Sequence, residues 1–171
     1  AYGVKGAGIT FATAIIGLLP LTILLAASPF RSWAGLGVPI VLIATGGTLL
    51  AAAGFDVAKS KFDDAFVDQS RDLMLKSEGS GMAKIHLPAD AVVASAPTAD
   101  AKVLDLPVED IEEDMAILDI GAKTVDGYCA VIAKSGTIVW NGPLGFYEVE
   151  QFAGASKKIS KAILDATDRG A

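Results

Sequence analysis

Charge is missing from the front of this chain. Residues 1–55 hold two charged side chains, Lys5 and Arg31, and no Asp or Glu. All 20 acidic residues of the 171-residue chain lie from Asp56 onward. The front therefore carries +2, and residues 56–171 carry −8 from 12 basic and 20 acidic groups. So sharp a break marks two regions suited to two surroundings. Two runs have no charge at all: Gly6 to Phe30, 25 residues, and Ser32 to Phe55, 24 residues. A helix crossing a bilayer core needs roughly 20 apolar residues, so each run is long enough to cross with some tilt.

Between the runs, Ser28-Pro29-Phe30-Arg31-Ser32-Trp33 has the character of a turn at a membrane surface. Proline ends helices, Arg prefers water, and Trp suits the interface. Small residues at helical spacing, Gly47 and Ala51, let two helices pack closely, and Pro20 kinks the first. The expectation is a two-helix transmembrane hairpin over residues 1–55, with spans of about 8–30 and 36–55, followed by an α/β module over 56–171. Lys5, Lys59, Lys61 and Arg71 oppose Arg31 alone, which places the module on the cytosol, stroma or matrix side. The competing reading is a buried parallel-sheet region, with Val38 to Ala44 a strand, Gly46-Gly47 a turn and Thr48 to Ala53 a short helix. The near absence of a polar face from Phe11 to Ala27 favours the spans. A start at Ala1 suits a processed targeting peptide.

Behind Phe55, helix and strand patterns alternate. Phe62, Phe66, Val67, Leu73 and Met74 share one helical face, ended by Gly79-Ser80-Gly81. Lys84 to Leu87 and Ala91 to Ala94 read as short strands. Ala96 to Glu113 is polar, and Glu109, Asp110, Glu112, Glu113 and Asp114 read as a solvated loop. Met115 to Ile120 is an apolar strand, and Thr124 caps a helix carrying Val125, Tyr128, Cys129 and Ile132. Thr137 to Trp140 is a strand, and a last helix carries Ile159, Ala162 and Ile163. Such alternation indicates a parallel or mixed sheet.

Several chemistries are excluded. One Cys and one His are too few for an internal disulfide or a zinc site. A net charge of −6 argues against a nucleic-acid partner. His86 and Cys129 read as packing residues. No Walker A or dinucleotide motif is present. In open α/β sheets ligands bind beyond the carboxyl ends of strands, which leaves the turn Asp119-Ile120-Gly121 and the loop from Asn141 to Glu148.

These stretches carry a specific likeness. Leu118-Asp119-Ile120-Gly121-Ala122-Lys123-Thr124, then Thr137-Ile138-Val139-Trp140-Asn141-Gly142-Pro143-Leu144-Gly145 with Phe146-Tyr147-Glu148 and Phe152-Ala153, resembles the carboxyl-terminal, nucleotide-binding domain of phosphoglycerate kinase. Gly54 to Ser60 and Ile85 to Asp90 extend the resemblance, which covers about residues 44–166. It implies that Asn141, Pro143 and Glu148 line a nucleotide site, with Glu148 on the ribose, and that Gly46 and Gly47 border the adenine pocket. The family's amino-terminal domain, with its basic cluster for 3-phosphoglycerate, has no counterpart within these 171 residues, nor has its Gly-Gly-Gly-Asp-Thr segment. Gly8 and Ala12 stand where the resemblance puts the phosphate lysines.

Phosphoryl transfer needs two positioned substrates and cations on the transferred group. The expectation is therefore a non-catalytic pseudoenzyme with no catalytic residue, no metal and no cofactor. It would serve as a membrane-anchored accessory subunit of a photosynthetic or respiratory complex, in the thylakoid or mitochondrial inner membrane, with membrane lipid and other protein subunits as partners. The alternative is a cytoplasmic, soluble nucleotide-binding fragment of a phosphoglycerate kinase, taking ATP or ADP with Mg and inactive alone.

Overall fold

A computed structural model describes residues 13–17, 40–43, 47–60, 64–78, 84–141 and 143–170. Strands β1 (Thr13–Gly17) and β2 (Ile40–Ile43) lie within the two uncharged runs. With β3 (Lys84–His86) and β7 (Thr137–Asn141) they form a four-stranded parallel sheet in the order β3-β2-β1-β7. Between these in sequence, β4 (Asp90–Ala94), β5 (Leu104–Pro107) and β6 (Ala116–Ile120) form an antiparallel sheet ordered β5-β4-β6. The helices are α1 (Gly47–Ala52), α2 (Val67–Ser77), α3 (Ala122–Ile132) and α4 (Gly154–Asp168).

The transmembrane hairpin is overturned. The first half of the expected first span contains β1, held between β2 and β7. The start of the expected second span is β2, and its end holds only the six-residue α1. Among the described residues no helix is long and apolar enough to cross a membrane. The physical reason is the one weighed against the spans: a strand inside a parallel sheet is covered on both faces, so it has no polar side to display. The competing reading's strand and short helix hold to within two residues, as β2 and α1; of its turn, Gly47 opens the helix and Gly46 lies outside the described residues. Arg31, Trp33 and Pro20, on which the surface turn and the kink were argued, lie outside the described residues.

Three apolar clusters hold the described fold. Val125, Tyr128 and Ile132 of α3 pack with Ala155, Ile159 and Ala166 of α4, together with Ile120 and Leu144. Ile138 and Trp140 of β7 close this layer. The spacing of three, four and seven residues is one helical face on each helix. Leu50, Val57, Ala91, Val93, Val108 and Ile111 form the second cluster, and Ala94, Leu118 and Phe152 the third.

Two local expectations are corrected. The polar stretch from Ala96 to Glu113 contains β5, a half-buried edge strand on β4. The acidic residues Glu109, Asp110, Glu112, Glu113 and Asp114 are exposed, as expected of a solvated segment. In α2, Val67, Leu73 and Met74 are half-buried, but Phe66 sits in a 3-10 turn before the helix and is 37% exposed; Phe62 lies outside the described residues. Asp72 and Lys76 pair one turn apart, as do Asp68 and Arg71 at 3.1 Å.

Candidate functional site

The parallel sheet defines where a ligand can sit. The chain winds from β1 through β2 to β3 in one direction and returns on the other side of β1 as β7. The switch point of the winding is therefore between β1 and β7, where helical crossovers part and leave a crevice at the carboxyl ends. In register, Gly17 is opposite Asn141, and Ile43, Ile16 and Trp140 share one row. Asn141 is the last residue of β7, and Gly47 opens α1 four residues beyond the end of β2. The ends of β2 and β7 thus flank the end of β1, about 10 Å apart at two strand spacings.

Of the residues expected to line the site, Gly47 and Asn141 are brought to this one edge. Pro143 and Glu148 are exposed in the loop that follows β7. Gly46 lies outside the described residues. His86 ends β3 in the same row as Ile43, and its carbonyl accepts from the Tyr128 hydroxyl at 3.0 Å, a packing role.

The loop after β7 is held at Leu144, Gly145 and Phe146. The Ser156 hydroxyl, in the first turn of α4, accepts from the Leu144 N–H at 2.7 Å and donates to the Leu144 carbonyl at 2.8 Å. Leu144 is 2% exposed. Gly145 takes a left-handed backbone at φ +64, and a Cβ there would stand 2.5 Å from the Leu118 carbonyl and 2.7 Å from Asp119 Oδ1. Only glycine meets both demands without strain. The Phe146 N–H donates to the Leu118 carbonyl at 2.6 Å. Beneath this loop, buried Asp119 accepts from the Ala155 N–H at 3.0 Å and from its own neighbour Ile120 at 2.9 Å. Burial outweighs those two bonds and pushes its carboxyl up to about 6.

The turn Asp119-Ile120-Gly121 proves to be a closed structural joint. Thr124 is not the residue before the helix; it lies inside the first turn of α3. The cap comes from β4, where the Asp90 carboxylate accepts from the Lys123 N–H at 2.9 Å and the Thr124 N–H at 2.8 Å, and also from the Thr124 hydroxyl. Burial works to raise the Asp90 pKa, but the Thr124 and Lys123 hydrogen bonds and the Lys123 charge outweigh it and hold the carboxyl below its ordinary range. The Ala122 N–H reaches Asp105 at 3.3 Å. A Cβ on Gly121 would come within 2.3 Å of Asp90 Cγ and 2.5 Å of Asp105 Oδ1. With its donors taken, this helix start has no room for a ligand. Cys129 is half-buried, and burial with the nearby Asp126 charge raises its thiol pKa, so it is not an activated nucleophile.

A parallel sheet whose winding reverses between β1 and β7, with helices on its crossovers, defines an α/β domain of the doubly wound kind. Comparison with known proteins names the family. The family profile of phosphoglycerate kinase matches residues 41–171. The phosphoglycerate kinase of Prosthecochloris aestuarii is 39% identical over 124 residues, 72% of this chain and 31% of that protein. That of Zymomonas mobilis is 40% identical over 132 residues, 75% of this chain and 33% of that protein. Among solved structures, phosphoglycerate kinase from Coxiella burnetii superposes with a TM-score of 0.76 at 26% identity, covering 91% of this chain and 40% of that one. The chain belongs to the phosphoglycerate kinase family, and spans about a third of the length of the curated relatives it matches.

The accessory-subunit reading is corrected with the hairpin on which it stood. A photosynthetic or respiratory membrane setting rests on spans whose described parts are strands β1 and β2 of a parallel sheet and the six-residue helix α1. The thylakoid or mitochondrial inner-membrane location falls for the same reason.

Proposed function

We propose that this chain is a nucleotide-binding portion of a phosphoglycerate kinase, with the adenine nucleotide at the carboxyl edge of β1, β2 and β7. The observation that carries this reading is the register placing Gly17 and Asn141 side by side at the switch point, with Gly47 across the end of β1. Asn141 and Pro143 then form one wall, Gly46 and Gly47 the other, and Glu148 meets the ribose. Glycine on one side lets a flat base approach the backbone closely. A carboxylate suits a ribose because it accepts from two adjacent hydroxyls.

The residues present fit the nucleoside end of ADP or ATP. At the phosphate end, the resemblance puts Gly8 and Ala12 where the family has its lysines. Bound ATP supplies the transferable phosphoryl group. Transfer to 3-phosphoglycerate is an activity of the whole protein, since it requires a second substrate held in line by further residues.

Titration calorimetry of the full chain with ADP tests the proposal, with Glu148→Ala as control. Saturable binding that weakens about tenfold in the variant, as expected for loss of a charge-assisted contact, supports it. No binding, or equal binding in both proteins, overturns it.

A further inference from the structure

We propose that Ser156, on α4, is a positioning residue that sets the shape of the nucleotide-lining loop between Pro143 and Glu148. The proposal rests on the nucleotide reading above and goes beyond it to a residue that touches no ligand. Its basis is the way one hydroxyl serves both backbone polar groups of Leu144. Loops normally leave such groups to water. Here the Leu144 side chain is 2% exposed and packs with Ala155 and Ile159, so its backbone is carried inside with it. A buried N–H and C=O need partners, and Ser156 supplies both.

The consequence reaches both ends of the loop. Pro143 precedes Leu144 directly. On the other side, Gly145 turns through its left-handed conformation against Asp119, and Phe146 bonds to the Leu118 carbonyl. The Val149 N–H then returns to the Phe146 carbonyl at 3.1 Å, which fixes the stretch holding Glu148. Releasing Leu144 frees the segment at the point where it leaves β7. The exposed rings of Phe146 and Tyr147, 40% and 49% accessible, give little packing to replace the lost hydrogen bonds. The same helix turn is tied to β6 through Ala155 and Asp119, so Ser156 sits on a fixed base.

The test uses the full chain and two variants, Ser156→Ala and Ser156→Thr, each followed by amide hydrogen exchange and by ADP titration. In Ser156→Ala the Leu144 and Phe146 amides should exchange faster, while Lys123 and Thr124, capped by Asp90, keep their protection. ADP should bind about tenfold more weakly, the scale of one or two lost hydrogen bonds. Ser156→Thr keeps the hydroxyl and should restore both readouts. Faster loop exchange with unchanged ADP affinity would make Ser156 merely structural and overturn the proposal, as would unchanged exchange at Leu144. Loss of protection at Lys123 and Thr124 as well would show general unfolding, and Ser156→Thr alone then decides: wild-type exchange and affinity support the proposal, and weakened ADP binding with an intact fold overturns it. Absence of ADP binding in the unsubstituted chain overturns the nucleotide reading itself, a result separable from a variant that binds like its parent.

Discussion

The starts of α3 and α4 are solved by the same device with opposite electrostatic results. Each helix takes a buried aspartate from a neighbouring strand as its cap, Asp90 from β4 and Asp119 from β6. Asp90 gathers two N–H groups and a hydroxyl beside the Lys123 charge, and is held below its ordinary pKa. Asp119 has two N–H groups and heavier burial, and rises to about 6. Burial resists charge in both; it wins at Asp119, where it is heavier and faces fewer donors, and loses at Asp90, where the Lys123 charge adds to the hydrogen bonds. A cap is thus a stabilising charge or a tolerated one according to what else points at it.

The sharpest way to break this contrast is Asp90→Ala. It leaves the Lys123 and Thr124 N–H groups without their acceptor and takes one of two from the Thr124 hydroxyl, and should cost about 4 kcal/mol in urea unfolding. Asp119 gives the next largest effect, through pH. Its folded pKa lies above the unfolded value of 3.8, so between about pH 4 and about pH 6 the folded state binds more protons than the unfolded one. Its contribution is complete below the unfolded pKa and is lost as pH rises through about 6, a fall of about 3 kcal/mol. Asp119→Asn should flatten that slope in unfolding curves taken across the window. Asp90 acts in the reverse sense, losing its contribution as pH drops below the unfolded carboxyl value.

Each aspartate also has a glycine pressed against it. Gly121→Ala drives a methyl into the Asp90 and Asp105 carboxylates and should cost about 2 kcal/mol. In an Asp90→Ala background that penalty should shrink, a coupling that a double-mutant cycle reads directly. The smallest effect belongs to the exposed Lys157–Glu150 pair beside the α4 start. Lys157→Ala should change thermal stability by about 0.5 kcal/mol or less, showing that these helix starts are held by buried groups.

Legibility in the sequence followed the range of the interactions. The Trp140-Asn141-Gly142-Pro143 string and the alternation after Phe55 pointed to the right family and to strands β3, β4, β6 and β7, because their signals are local. β1 was misread because twenty-five uncharged residues look alike to a membrane and to the middle of a parallel sheet; only pairing with Ile40–Ile43 and Thr137–Asn141 tells them apart. β5 was missed because Leu104 to Pro107 is a short edge strand in polar surroundings. Thr124 reads as a cap in the sequence because the true one, Asp90, lies 34 residues away. Ser156 carried no signal beyond being a serine near a helix start, since its partner Leu144 is defined only by the fold.

One joint ties the two sheets together. Between β3 and β4 only Leu87, Pro88 and Ala89 intervene. Helix α3 grips that link at both ends: Tyr128 holds the His86 carbonyl, and the Thr124 hydroxyl takes the Ala89 and Asp90 N–H groups. A splint across so short a span turns two plates into a single lever. Any force that tilts the parallel layer must carry the antiparallel one with it, or first peel the helix from the link.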